Sequence, residues 1–152
     1  IRIDHVNIVV SDMERSVRFY TEALGLRRGF ETVLEGEWVE RVVGFTGVKA
    51  PCVFMETDDP NVRLELLQYV SPEGESLPAN SLPNTAGLRH LAFMLPDTTA
   101  LGELAKRLRS SGVTLVSEPE KVPFRVGALG HKHLFYFLDP DGVVIEAAAY
   151  ER

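Results

Sequence analysis

The sequence predicts an α+β protein of two tandem modules, and three observations carry that prediction. The first is a duplicated strand. Residues 5–12 run His-Val-Asn-Ile-Val-Val-Ser-Asp, and residues 90–97 run His-Leu-Ala-Phe-Met-Leu-Pro-Asp. In both, a histidine opens an apolar run that ends at an aspartate seven positions later. The second is the order of patterns after each copy, a helix-spaced stretch followed by strand-spaced ones. The third is residues 70–87, where Ser, Pro, Asn, Gly and Glu displace large apolar residues. That composition marks a linker, and eighteen structureless residues would be long inside one compact unit. A first module at 1–69 and a second at 88–152 are therefore expected, flanking a 70–87 linker within one 1–152 domain.

Each element has its own signal. Residues 2–10 are rich in β-branched side chains and predict the first strand. Ser11 followed by Glu14 has the form of a capping box. Met13, Val17, Tyr20 and Leu24 then fall on one helical face, and Gly25 stands where a left-handed cap is wanted. Residues 27–33 fit a strand. In residues 34–50, Trp38, Val42 and Phe45 either share one side of a short helix or line a mobile flap. Residues 51–57 read as a strand and 58–61 as a turn. Residues 62–69 read as the closing strand, with Arg63, Glu65, Leu67 and Tyr69 on one face.

The second half repeats this order. Strand 88–95 leads into a helix begun by Pro96-Asp97-Thr98, with Leu101, Leu104, Ala105 and Leu108 at helical spacing. Gly112 is expected to close it. A strand over 113–116, a loop over 118–130 and a strand over 133–138 follow. Asp139-Pro140-Asp141-Gly142 then has hairpin-turn chemistry, and 143–150 is the last strand.

Composition narrows the function classes. A chain of 152 residues can bury a substantial core. Its net charge of −6 argues against a nucleic-acid or anionic-membrane surface. No apolar run nears the ~20 residues that span a bilayer, and no signal-peptide pattern opens the chain, so a cytoplasmic protein is expected. The one cysteine, Cys52, excludes an internal disulfide and a thiolate cluster. Its neighbours Val53, Phe54 and Met55 suggest an inert buried thiol.

The polar exceptions repeat as well as the apolar pattern. His5 and His90 open the first strands, while Glu65 (between Leu64 and Leu66) and Glu146 (between Ile145 and Ala147) sit in the last ones. A duplicated fold needs only its apolar pattern and turns to recur. An imidazole or carboxylate in an apolar strand is costly to bury without a partner. Taken singly, each histidine reads as an ordinary half-buried residue and each glutamate as a solvent-facing one. The matched quartet favours a divalent cation that serves all four. Two imidazoles and two carboxylates suit Zn, Ni, Co, Mn or Fe(II).

The segments Asp4-His5-Val6, Ser16-Val17-Arg18-Phe19-Tyr20, Leu24-Gly25-Leu26, Leu64-Glu65-Leu66-Leu67, Gly87-Leu88-Arg89-His90-Leu91-Ala92-Phe93, Phe137-Leu138-Asp139-Pro140-Asp141-Gly142 and Ile145-Glu146 resemble the vicinal oxygen chelate superfamily. That superfamily holds glyoxalase I, methylmalonyl-CoA epimerase, extradiol dioxygenases, fosfomycin-resistance enzymes and bleomycin-binding proteins. The resemblance implies two βαβββ modules whose curved mixed sheets surround a metal-binding cleft. It implies one divalent ion per site, held by His5, Glu65, His90 and Glu146, and a homodimer.

The implied activity is a metal-dependent lyase, isomerase or epimerase of the glyoxalase I type. A small substrate with oxygens on neighbouring carbons would chelate the ion, which would stabilise an enediolate. Glu146 or Glu65 would act as the catalytic base. An Fe(II) extradiol ring-cleaving dioxygenase is the alternative, and would use only His5, His90 and Glu146. A fourth ligand at Glu65 favours the first reading. A non-catalytic small-molecule binding protein is the third, and such members commonly lack the quartet that this chain keeps. Trp38, Phe45, Arg125 and His133 are candidates for the substrate pocket. Arg89, Arg125 and Lys132 are candidates to meet an anionic substrate tail.

Overall fold

Residues 1–152 are all described in the computed structural model. The chain divides into two units, Ile1–Ser76 and Leu77–Arg152, and the division falls within the 70–87 stretch. The first unit runs β1 (Val6–Val9), α1 (Met13–Leu24), β2 (Arg27–Glu35), α2 (Glu37–Val43), β3 (Lys49–Glu56) and β4 (Arg63–Leu67). Its sheet has the order β1-β4-β3-β2. The last strand therefore returns to lie parallel beside the first, and the remaining pairs are antiparallel.

Alternation along the strands splits this sheet into two faces. Ile8, Val53, Met55, Leu64 and Leu66 form one face and are all buried. Helix α1 packs on that sheet through β2 and β3 and buries Met13, Val17, Tyr20 and Ala23. The larger aliphatic side chains among them, such as Met13 and Val17, each contribute about 1.5–3 kcal/mol when fully buried. The other face carries Asn7, Cys52, Phe54 and Glu65.

The second unit runs β5 (His90–Met94), α3 (Thr98–Ser110), β6 (Glu120–Arg125), a short 3-10 turn (Gly127–Leu129), β7 (His131–Leu138) and β8 (Val144–Glu151). Its sheet order, β5-β8-β7-β6, reproduces that of the first unit, with β5 parallel to β8. Helix α3 buries Leu101, Leu104, Ala105 and Leu108. The sheet's buried residues Phe135, Phe137, Ile145 and Ala147 share the face towards it. The predicted α+β class and the tandem repeat are both observed.

Several local expectations are corrected. Asp12, not Ser11, caps α1: its extended backbone lets the carboxylate accept from Arg15 N at 3.0 Å. The Ser11 hydroxyl instead accepts from the Arg15 guanidinium at 2.8 Å, and Glu14 pairs with Arg28 at 3.0 Å. Residues 113–116 make no strand, only a single bridge from Leu115 to Phe137. The edge strand is β6, within the stretch expected to be a loop. Its Pro123 lies inside a register shift between Lys121 and Arg125, which is where a strand tolerates proline. Residues 34–50 resolve into the end of β2, helix α2 and the start of β3. The linker is not structureless. Lys49 N donates to Ser71 O at 2.8 Å, and turns close at Ser81 and Thr85. No helix is long and apolar enough to cross a membrane.

Candidate metal centre

Strand register places a histidine, a glutamate and an aromatic ring together in each unit. In the first, Glu65 on β4 lies between Asn7 on β1 and Phe54 on β3. His5 precedes Asn7 by two positions, and its Nε2 lies 3.6 Å from Glu65 Oε1. In the second, Glu146 on β8 lies between Ala92 on β5 and Tyr136 on β7. His90 precedes Ala92 by two positions, and its Nε2 lies 3.3 Å from Glu146 Oε2. Each imidazole also meets the ring opposite its glutamate. His5 and Phe54 have centroids 5.5 Å apart, edge to face, and His90 and Tyr136 are 5.1 Å apart. The two rings are members of the arrangement that the sequence reading missed. Their signal was their common place opposite a glutamate, which requires the register.

The surroundings of the two pairs differ. His5 Nδ1 lies 2.6 Å from Asp4 Oδ2, and Asp4 also accepts from Arg63 at 2.9 Å. The His5 hydrogen bond, with Arg63 behind it, holds the Asp4 carboxyl below the usual carboxylate range. A carboxylate on one ring nitrogen fixes the tautomer and aims the other nitrogen, here towards Glu65. Glu65 Oε1 also accepts from Asn7 Nδ2 at 3.0 Å. Glu65 Oε2 is 3.8 Å from Cys52 Sγ. Burial, reinforced by the Glu65 charge, pushes the Cys52 thiol up to about 11, in keeping with an inert thiol. In the second unit the Lys132 ammonium lies against Glu146 Oε1, and Glu146 is 3% exposed.

The donor spacing fits a metal. Two atoms each about 2.0–2.2 Å from one ion stand roughly 3–3.5 Å from each other at ordinary coordination angles. The His–Glu separations of 3.6 and 3.3 Å are close to that range. Within either unit, no three His, Cys, Asp or Glu side chains gather into a set that could hold an ion by itself. Each unit offers a pair of donors.

The remaining candidates lie elsewhere in their units. Trp38 is exposed on α2, and Phe45 follows that helix with its ring 6.2 Å from Tyr69. Arg125 ends β6 opposite His131. His133 stands opposite Ala149 on β8, whereas Glu146 stands opposite Tyr136. Alternation thus puts His133 on the face of Phe135 and Phe137, away from Glu146. Its Nε2 lies 2.8 Å from Glu151. Lys121, with His133, brings the Glu151 carboxyl down to about 2. Lys132, between the two histidines, is the residue turned towards Glu146. Arg89 donates to Ser81 Oγ at 2.7 Å.

The profile of the Glyoxalase/Bleomycin resistance protein/Dioxygenase superfamily matches residues 2–147. The chain belongs to that superfamily. Relatives within it include enzymes. The 2-epi-5-epi-valiolone epimerase of an Actinomyces species is 28% identical over 149 residues, covering 96% of this chain and 78% of the epimerase. The glutathione transferase FosA of Serratia marcescens is 29% identical over 148 residues, covering 95% of this chain and 77% of the transferase. Among solved structures, a glyoxalase family protein from Bacillus cereus superposes with a TM-score of 0.83 at 27% identity, covering 100% of this chain and 95% of that one.

Proposed function

We propose that this superfamily member is a divalent-metal-dependent isomerase, epimerase or lyase of the glyoxalase I type, acting on a small molecule with oxygens on neighbouring carbons. The observation that carries this reading is the His–Glu pair built twice at the same register, His5 with Glu65 and His90 with Glu146. His5, Glu65, His90 and Glu146 would be the ligands of the divalent ion, and we propose a homodimer as the working assembly. When bound, the ion supplies Lewis acidity to the substrate oxygens and so acidifies the C–H bond between them. The rest falls to the chain's own residues. Both histidines would face the ion through Nε2, with Asp4 orienting His5. A glutamate oxygen receives the substrate proton. Phe54 and Tyr136 flank the two imidazoles. Trp38 and Phe45 supply exposed aromatic surface for a substrate pocket.

The epimerase relative supports an isomerase over a ring-cleaving dioxygenase. So does the equal standing of Glu65 and Glu146 beside their histidines, since a dioxygenase site of this kind needs only three protein donors. Metal analysis of protein purified without chelator tests the reading. We expect about one divalent ion per chain in the wild type and none in His90→Ala. A metal-free wild type, or a variant that keeps its full complement, would refute the ligand set. A panel of hemithioacetal, acyl-CoA epimers and catechols, the last assayed aerobically with Fe(II), then separates the reactions.

A further inference from the structure

The two glutamates occupy the same place in their sheets, but their oxygens are used differently. Glu146 divides its carboxylate: Oε2 faces His90 at 3.3 Å, while Oε1 lies against the Lys132 ammonium. The side chain of Glu146 is 4% exposed and that of Lys132 24%, so the pair is shielded from water. Glu65 concentrates its contacts on one oxygen, with both His5 Nε2 and Asn7 Nδ2 on Oε1. Its Oε2 meets only the weak thiol donor of Cys52, at 3.8 Å. The register explains the difference. Lys132 stands four residues before Tyr136, and the residue four before Phe54 is Ala50. An alanine offers no charge.

We infer that Lys132 is a positioning residue that fixes Glu146 as a one-oxygen metal ligand, leaving Glu65 as the carboxylate able to move between ion and substrate. The inference rests on the ligand reading above. A buried carboxylate needs a counter-charge, and Lys132 provides one whether or not an ion is bound. With Oε1 occupied, only Oε2 is available to a metal, and swinging Glu146 away would separate an ion pair held in low dielectric. Glu65 has no such tether. The ammonium also lowers affinity for a divalent cation, because like charges a few ångströms apart repel strongly away from bulk water. Lys132 thus exchanges some metal affinity for a fixed ligand geometry.

Cobalt(II) is the probe, read by titration calorimetry and by its visible absorption, which follows coordination number. Lys132→Met should bind Co²⁺ about tenfold more tightly than wild type, from relief of repulsion. Its visible band should change as Oε1 becomes a second ligand atom. Its metal-free form should melt at lower temperature and recover more than wild type does on adding Co²⁺. Lys132→Arg should retain the wild-type band and affinity. If Lys132→Met does not fold, Lys132→Gln carries the same comparison without the charge. Wild-type affinity and spectrum in the uncharged variant, or weaker binding there, overturns the inference while leaving the ligand set standing. A wild type that takes up no Co²⁺ refutes the ligand set itself, and the inference with it.

Discussion

Carboxylates in this protein are distinguished by their partners, and the partners carry the residue-scale predictions. Glu151 is held down to about 2 by Lys121 and His133. A depressed folded value means that its contribution to stability is present above the ordinary value of 4.5 and is lost as pH falls towards 2. Because the group is exposed, the effect on stability is small. It is best seen directly, in an NMR titration where Lys121→Met shifts the Glu151 midpoint upward. Cys52 runs the opposite way. Its folded value of about 11 exceeds the ordinary thiol value of 9.0, so the folded state holds the proton more tightly. That contribution is complete below pH 9 and is lost as pH rises through 11. Denaturation midpoints should therefore fall over this interval in wild type and less so in Cys52→Ala. Thiol reagents at pH 8 should label Cys52 only on unfolding.

Capping and close approach decide matters for single elements. Asp12→Ala removes the side-chain acceptor at the start of α1 and should cost about 1 kcal/mol in denaturant titration. Gly130 adopts φ 97°, and a Cβ there would come within 2.2 Å of Glu151 O. Gly130→Ala should disturb the entry to β7 and destabilise more than the cap variant. Both helices with a wide apolar stripe were legible from spacing alone, because α1 and α3 each bury one face. Strand β6 was not, since its proline reads as a breaker until the register shift is seen. Residues 113–116 were overread because a run of apolar residues can pack along a sheet with one bridge. The two His–Glu pairs were legible as residues because the same polar exceptions recur in both halves. The place of Phe54, Tyr136 and Lys132 beside those pairs was not, because which face a strand residue takes depends on a register that sequence does not give.

For the whole molecule, one topology appears twice with one register and diverged fillings: Asn7 answers to Ala92, Ala50 to Lys132, Cys52 to Leu134. Since each unit offers two donors, saturation with Mn²⁺ should plateau near one ion per chain, with two per chain contradicting a shared quartet. Sedimentation equilibrium should give twice the 16.9 kDa chain mass if the homodimer reading holds. The parallel pairing of β1 with β4 and of β5 with β8 has a kinetic consequence. Each His–Glu pair joins the opening of a unit to its close, so its two halves are among the most distant in sequence that the unit brings together. Contacts of that span carry the largest loop-closure entropy and form after the local ones. An ion held by such a pair would act as a clasp on the folded unit, stabilising it by mass action because the unfolded chain presents no such pair to bind it. Metal capture would then be a late event in folding, and the ion a sign that the last strand has docked.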